Sequence, residues 1–217
     1  MHLGCYLHII VFALCWTLTS CSPGRQDFQT ALQTLAEADS MRSAGRLYDD
    51  SLSLAKAHSM LSRVYYRHSH PYEYARINYF YARLLDERGS KTDAMQCFIN
   101  AMHIANETPT YKCVGLPWYH HSTEHYDLLG SVYCNIGIMC HLSKNFELSY
   151  EMFDISAQMF KRSENTIAFY YSLNDMAFES ASLKDKEQTI SIANEVMREC
   201  SDSYAHALAL EALAELL

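Results

Sequence analysis

The stretch ARINYFYARLLDERGSKTDAMQCFINAMHIANET, residues 75–108, decides the fold. Its apolar residues recur with helical period on both sides of Gly89, which predicts two helices joined by a tight turn. Four small or aromatic residues follow one another at intervals of 12, 4 and 3 residues: Ala82, Ala94, Phe98 and Ala101. We expect them at the crossing of the two helices, because a small residue on one helix lets the other helix approach closely.

The same three intervals occur twice more along the chain. The second set is Gly137, Ser149, Phe153 and Ser156, and the third is Ala177, Thr189, Ala193 and Val196. The sets keep the size of the residues better than their identity, which is what a packing constraint tolerates. The sequence therefore predicts three helix hairpins with one common packing geometry.

This pattern resembles the tetratricopeptide repeat, a helix–turn–helix unit of about 34 residues with small and aromatic residues at these spacings. The matching units are 75–108, 130–163 and 170–203. Serine replaces alanine twice in the second unit, and the third has Thr189 and Ala193 in place of an alanine and an aromatic residue. The resemblance implies an all-α solenoid of antiparallel helix hairpins, wound into a right-handed superhelix of about nine helices.

Helical patterns also extend beyond these three units, and the whole repeat domain is expected to cover residues 26–217. Residues 26–67 predict a degenerate first hairpin in which Leu52, Ala55 and Leu61 pack on the first full unit. Breaks in the helical pattern are expected near Gly45, His70, Gly89, Lys144, Glu164, Lys184 and Ser201. Residues 109–129 form an insertion between the first and second full units.

The first 20 residues are uncharged and mostly apolar, too short to span a membrane comfortably, and are typical of a signal peptide. The segment ends in Leu-Thr-Ser-Cys, which resembles the lipobox of bacterial lipoproteins and implies that Cys21 is lipidated, with 21–25 as an anchor and linker. No Lys or Arg precedes Arg25, whereas signal peptides usually begin with positive charge. An uncleaved apolar tail is therefore the alternative.

The chain resembles the tetratricopeptide lipoproteins of Bacteroidetes in the order of its parts: a leader with a lipobox, a degenerate hairpin and loosely spaced repeats. The resemblance implies an exported protein that is held at a membrane by acyl chains on Cys21. Ser22 stands where an aspartate is linked to inner-membrane retention, which favours the outer membrane, facing the periplasm. The last helix ends in Ala212, Leu213, Leu216 and Leu217, an uncapped apolar edge, so we expect either a truncated form of a longer protein or an edge that pairs with a partner.

Composition excludes several functions. The net charge of -8, without any basic run, argues against nucleic-acid binding. Five cysteines remain outside the leader, at 97, 113, 134, 140 and 200, and without a CxxC pair they indicate buried single thiols and no zinc site. No phosphate loop, serine elbow or Cys/His nucleophile motif occurs, so we expect no enzymatic activity, catalytic residue or cofactor.

In tetratricopeptide solenoids the first helix of each unit lines a concave wall, where partners bind. Nine residues share one helical face at i, i+3 and i+7 in the three units: Arg76, Tyr79 and Arg83; Ser131, Cys134 and Ile138; Tyr171, Asn174 and Phe178. From these we take Arg76, Tyr79, Arg83, Ile138, Tyr171, Asn174 and Phe178 as the candidate partner-binding residues, suited to a protein or an extended peptide. Alternatively, Tyr79 and Phe178 pack between hairpins, and Arg76 and Arg83 are solvated.

The insertion carries a dense group of aromatic and histidine residues. Trp118 and Tyr119 are expected to anchor it against the solenoid or to contact a partner. His121 and His125 stand at i, i+4, a spacing that two metal ligands on one helix can have, but no third ligand is specified and we expect no metal site. The functions left open are thus an interaction scaffold, a glycan-binding lipoprotein, and a metal-dependent hydrolase that uses His120, His121 and His125 with Glu124 as base.

Overall fold

The computed structural model describes residues 23–44, 46–107 and 123–217, and within these ranges the regular secondary structure is all helix, with no strand. The all-α fold class is confirmed. The described residues form ten helices, one more than the approximate expectation: α1 (Pro23–Ser43), α2 (Ser51–Leu61), α3 (Val64–Ser69), α4 (Pro71–Glu87), α5 (Lys91–Glu107), α6 (Thr123–Leu142), α7 (Phe146–Arg162), α8 (Thr166–Ser182), α9 (Lys186–Glu199) and α10 (Ser203–Ala214).

The additional helix is α3, which has six residues and follows α2 after a single break. At the break, Arg63 has extended backbone angles (φ -61°, ψ 139°), which no helix can continue through. In α2 the buried side chains are Leu54, Ala57, Met60 and Leu61, whereas Leu52 is 63 % exposed. The prediction that Leu52 packs on the first full unit is therefore wrong, and Leu54 is buried in the core instead.

Four helices end in one recurring turn, at positions where the sequence predicted breaks. The turn residues Gly89, Lys144, Glu164 and Lys184 have φ values of 80°, 61°, 61° and 64°. In the turn after α6, Lys144 N–H donates to His141 O (2.7 Å) and Asn145 N–H donates to Cys140 O (3.0 Å), which closes the last helical carbonyls. Asn145 then accepts the N–H of Leu148 and so begins α7. One residue pair thus ends one helix and starts the next.

Each helix packs against the next one along the chain, so that α1–α2, α4–α5, α6–α7 and α8–α9 form hairpins. The first helices of the hairpins also contact one another, α1 with α4, α4 with α6, and α8 with α10. A hydrogen bond between His141 and Glu179 joins α6 to α8. The helices α1, α4, α6, α8 and α10 therefore form one continuous layer, which we call the first-helix wall, and the molecule is an all-α helical repeat solenoid.

The residues of the three interval sets lie buried at the hairpin crossings, as predicted. Ala82, Ala94 and Ala101 are fully buried around Phe98, and Ala177, Thr189, Ala193 and Val196 are fully buried in the third hairpin. In the second hairpin, a Cβ on Gly137 would lie 2.8 Å from Cε1 of Phe153. Only glycine therefore allows α6 and α7 to approach this closely.

The two serines that replace alanines in the second hairpin are fully buried and hydrogen-bonded. Ser149 Oγ donates to Gly137 O (2.9 Å), and Ser156 Oγ donates to Gly130 O (2.9 Å), both on the facing helix. A buried hydroxyl without a partner would cost free energy, and these bonds remove that cost. Serine in place of alanine at these two positions thus keeps a small side chain and adds a hydrogen bond.

Candidate binding surface on the first-helix wall

The seven predicted partner-binding residues lie on three helices of the first-helix wall, α4, α6 and α8. Ile138 is 42 % exposed, and Arg76, Arg83, Tyr171 and Phe178 are partly buried. The structure therefore brings five of the seven residues to this layer with some accessible surface. Tyr79 and Asn174 are the exceptions.

Tyr79 and Asn174 are buried and offer almost no surface to a partner, which corrects the interpretation of both residues. Tyr79 is 3 % exposed, and its ring centroid lies 6.1 Å from that of Phe98 on α5. Asn174 is fully buried and donates from Nδ2 to Ala205 O on α10 (3.1 Å). Both side chains face neighbouring helices because adjacent helices pack closely enough to cover positions that helical periodicity alone leaves open.

A cavity of about 600 Å³ lies between α1, α4 and α6, and we call it the charged cleft. Five charged residues line it: Asp39, Arg42, Arg76, Glu124 and Asp127. Of these residues, Arg76 was predicted to bind a partner, and Glu124 was named only for the alternative of a hydrolase. Asp127 could have been predicted, because it lies on the same helical face as Ser131, Cys134 and Ile138. It was missed because the second unit was expected to begin at residue 130, whereas α6 begins at Thr123, seven residues earlier.

The arginines of the charged cleft are held by ion pairs. Arg76 pairs with Asp39 on α1 and lies over the ring of Tyr72, with 5.6 Å from Cζ to the ring centroid. Arg42 Nη2 lies 3.0 Å from Asp127 Oδ2, and Asn165 Nδ2 donates to the other oxygen of Asp127 (2.6 Å). These contacts cross from α1 to α4 and α6, so the guanidinium groups are positioned before any partner arrives.

Burial changes the proton affinities of groups in the charged cleft. The pKa of Tyr72 is raised to about 12, mainly because its hydroxyl is removed from water and additionally because Glu124 is near. Burial lowers the pKa of Arg76, and the charge of Glu124 opposes that change. At neutral pH the cleft therefore presents a protonated phenol, two paired arginines and three carboxylates, which suits a polar partner with groups of both signs.

A second cavity, of about 390 Å³, lies between α6, α8 and the end of α10. Three carboxylates line it, Asp175, Glu179 and Glu215, and we call it the acidic pocket. Burial raises the pKa of Asp175 to about 7, with a further contribution from Glu179, while His141 lowers it. No sequence pattern pointed to this pocket, because two carboxylates four residues apart on a helix usually mark a solvated face.

Cys134 lies on α6 close to Asp175 and Arg83, and burial raises the pKa of its thiol above the ordinary value. A protonated thiol is a poorer nucleophile than a thiolate. The four cysteines in the described ranges, at 97, 134, 140 and 200, are all free, as buried single thiols were expected to be, although Cys134 keeps some exposed surface.

Several predicted residues lie outside the described residues: Cys21, Cys113, Trp118, Tyr119, His120 and His121. Of the histidine group, the structure describes only His125, which is buried on α6 with its ring centroid 5.9 Å from that of Tyr72. In residues 23–44, 46–107 and 123–217 no group of three or more His, Cys, Asp or Glu side chains could hold a metal ion. Within the same ranges, none of the helices combines the length and apolarity that crossing a membrane requires.

The architecture and the wall define the class of the molecule as an all-α helical repeat protein. No protein-family model matches the sequence, and no curated protein has significant similarity to it. Among solved structures, the fold is similar to the crystal structure of BtubC (BKLC) from P. vanneervenii, with a TM-score of 0.53 and 12 % sequence identity over 90 % of this chain and 86 % of that one. At this identity the likeness shows the fold alone.

Proposed function

We propose that the chain is a membrane-anchored scaffold of tetratricopeptide-like repeats that binds a protein or peptide partner through the first-helix wall. The observation that supports this most directly is the charged cleft, where Arg42 and Arg76 are held in place by pairing across three helices. A scaffold needs a rigid surface on which polar groups are already oriented, because ordering them at the moment of binding would cost affinity.

The wall also carries apolar surface beside the charged groups. Ile138 is exposed on α6, and Phe178 and Tyr171 are partly exposed on α8. A partner segment that alternates polar and apolar side chains along an extended backbone could contact both kinds of surface. Arg83 on α4 is close enough to Cys134 on α6 to influence its thiol electrostatically, so it adds a positive charge to the wall near α6.

Charge changes on the wall are expected to weaken peptide binding at least tenfold, or about 1.4 kcal/mol. The full chain would be immobilised and used to select peptides from a displayed library of random 12-residue sequences. Enriched peptides would then be titrated against wild type, Arg83→Glu and Arg76→Gln. The matched control is Arg198→Glu on α9, an arginine whose side chain is 72 % exposed and lies outside the first-helix wall.

Thermal unfolding of each variant would show whether a loss of binding reflects a loss of folding. The proposal requires that the two wall variants lose affinity while Arg198→Glu retains it. If no peptide is enriched, or if the enriched peptides bind all four proteins equally well, the first-helix wall is not the binding surface.

The membrane anchor in this proposal is supported by the resemblance of Leu-Thr-Ser-Cys at 18–21 to a lipobox. Several acyl chains on Cys21 would hold the mature domain stably at a membrane. Ser22 stands where an aspartate is linked to inner-membrane retention, which favours the outer membrane, facing the periplasm. In cells grown with an alkyne-labelled fatty acid, the wild-type chain should become labelled and Cys21→Ser should not. Cys15→Ser, which changes another cysteine of the leader, should keep the label. An unlabelled wild type, or a labelled Cys21→Ser variant, would contradict the anchor.

A further inference from the structure

The acidic pocket is the second cavity on the first-helix wall, and it differs from the charged cleft in its balance of charge. Its lining includes three carboxylates, at Asp175, Glu179 and Glu215, and a single group that can become positive, His141. The three carboxyl groups outnumber the one lining group that can carry a positive charge, so the pocket has an excess of acidic groups.

Glu179 is the most informative residue of the pocket, because its side chain is only 2 % exposed. One carboxylate oxygen, Oε1, lies 2.7 Å from His141 Nδ1. The other oxygen, Oε2, is buried and has no hydrogen-bond partner among the described residues. A buried carboxylate oxygen without a donor costs free energy, and Glu179 is part of the cavity lining, so a donor that enters the cavity and approaches this carboxylate would offset that cost.

The other residues that line the acidic pocket indicate which kind of hydrogen-bond donor it could bind. Asp175 lies one helical turn before Glu179, so the two carboxylates share one face of α8. Ile138, Phe153 and Phe178 supply apolar surface to the same cavity. Lysine and arginine side chains combine an apolar stem with a charged head, and a guanidinium group can donate to two carboxylates at once. A metal ion suits the pocket less well, since no group of three or more metal-ligating side chains occurs in the described ranges.

We propose that the acidic pocket receives a basic side chain of the partner, with its stem against Ile138 and Phe178 and its charged head at Glu179 and Asp175. This inference rests on the proposed function and makes it specific, because it assigns one chemical feature to the partner. The cavity of about 390 Å³ has room for one such side chain.

The probe is the capped peptide acetyl-Gly-Ser-Arg-Ser-Gly-amide, titrated into the ¹⁵N-labelled full chain in detergent micelles and followed by NMR. Saturable shifts are expected for the amide signals of Ile138, Asp175, Glu179 and Glu215. The same peptide with citrulline in place of arginine keeps the shape but removes the charge, and it should bind at least tenfold more weakly. Equal affinity for the two peptides, or no shift at these amides, would overturn the inference.

Glu179→Gln should weaken binding of the arginine peptide at least fivefold, because it removes the buried negative charge with little change of shape. Asp175→Asn provides a second variant in case loss of the contact to His141 disturbs folding. Glu151→Gln, an exposed position on α7, is the matched control and should bind as wild type does. Unchanged affinity in both pocket variants would also overturn the inference.

The two proposals fail in different ways. If Arg83→Glu abolishes capture of library peptides while the arginine peptide does not bind, the scaffold remains and only the assignment of the acidic pocket is lost. If the arginine peptide binds in the acidic pocket while library peptides bind all wall variants equally, the assignment remains and the wider wall is not the binding surface.

Discussion

Replacing Gly137 by leucine is expected to lower the free energy of unfolding by about 3 kcal/mol. A Cβ at this position would already lie 2.8 Å from Cε1 and 2.9 Å from Cδ1 of Phe153, which is closer than carbon atoms approach without displacement. The ring itself is 3 % exposed and cannot move into solvent. The two helices cannot separate freely either, because Ser149 Oγ donates to the carbonyl of Gly137 across the same crossing. Urea unfolding followed by circular dichroism would measure the loss.

A second variant tests whether the loss has this cause. In Gly137→Leu combined with Phe153→Ala, the ring that causes the clash is gone. The double variant should therefore lose clearly less free energy of unfolding than the sum of the losses in the two single variants. Leu142→Ala on the same helix is the control, since Leu142 is 61 % exposed and should change stability by no more than about 0.5 kcal/mol. A stable Gly137→Leu protein would mean that α6 and α7 do not cross as described, and the repeat geometry would be in doubt.

The residues at this helix crossing could be predicted from the sequence for a simple physical reason. Close packing of two helices restricts residue size at fixed intervals, and size can be recognised in a sequence even when Ala is replaced by Gly, Ser or Thr. The turns could be predicted for a similar reason, since a helix pattern must stop where the backbone reverses. Lys144, Glu164 and Lys184 were expected only as breaks, however, and their positive φ values were not predictable from residues that rarely adopt them.

The candidate site was less accessible to prediction, because it depends on which helices are neighbours. Periodicity placed Tyr79 and Asn174 on an outer face, but contacts with α5 and α10 bury them. The pairing of Arg76 with Asp39 joins residues of two separate hairpins, and no spacing within one helix indicates it. Asp175 and Glu179 were visible as an i, i+4 pair, but only the approach of α6 and α10 turns them from a solvated face into a pocket.

The protonation of Asp175 gives the acidic pocket a measurable effect on stability. The pKa of this carboxyl is about 7 in the folded protein against an ordinary value of 3.8, first because of burial and then because of Glu179, with His141 acting in the opposite direction. Between these two values the folded chain keeps a proton that the unfolded chain has released. The contribution of Asp175 to the free energy of unfolding therefore falls as the pH rises from about 4 to about 7, and it levels off above that. Glu215, which follows α10 and also lines the pocket, and Cys134 on α6, which lies near Asp175, are common to wild type and variant.

Asp175→Asn removes the carboxyl and should leave a protein that is more stable than wild type at pH 8 but nearly equal to it at pH 4.5. A rise of the pKa from 3.8 to about 7 corresponds to about 4 kcal/mol, and since Asp175 keeps part of its surface in water we expect a gain of about 2 kcal/mol. Urea unfolding of both proteins at the two pH values gives the difference directly, and Glu151→Gln should show no such difference because its side chain is exposed. A gain that is the same at both pH values would show that Asp175 is not protonated in the fold. If a basic group binds in the acidic pocket, as proposed, it would offset part of this cost by stabilising the ionised form of Asp175.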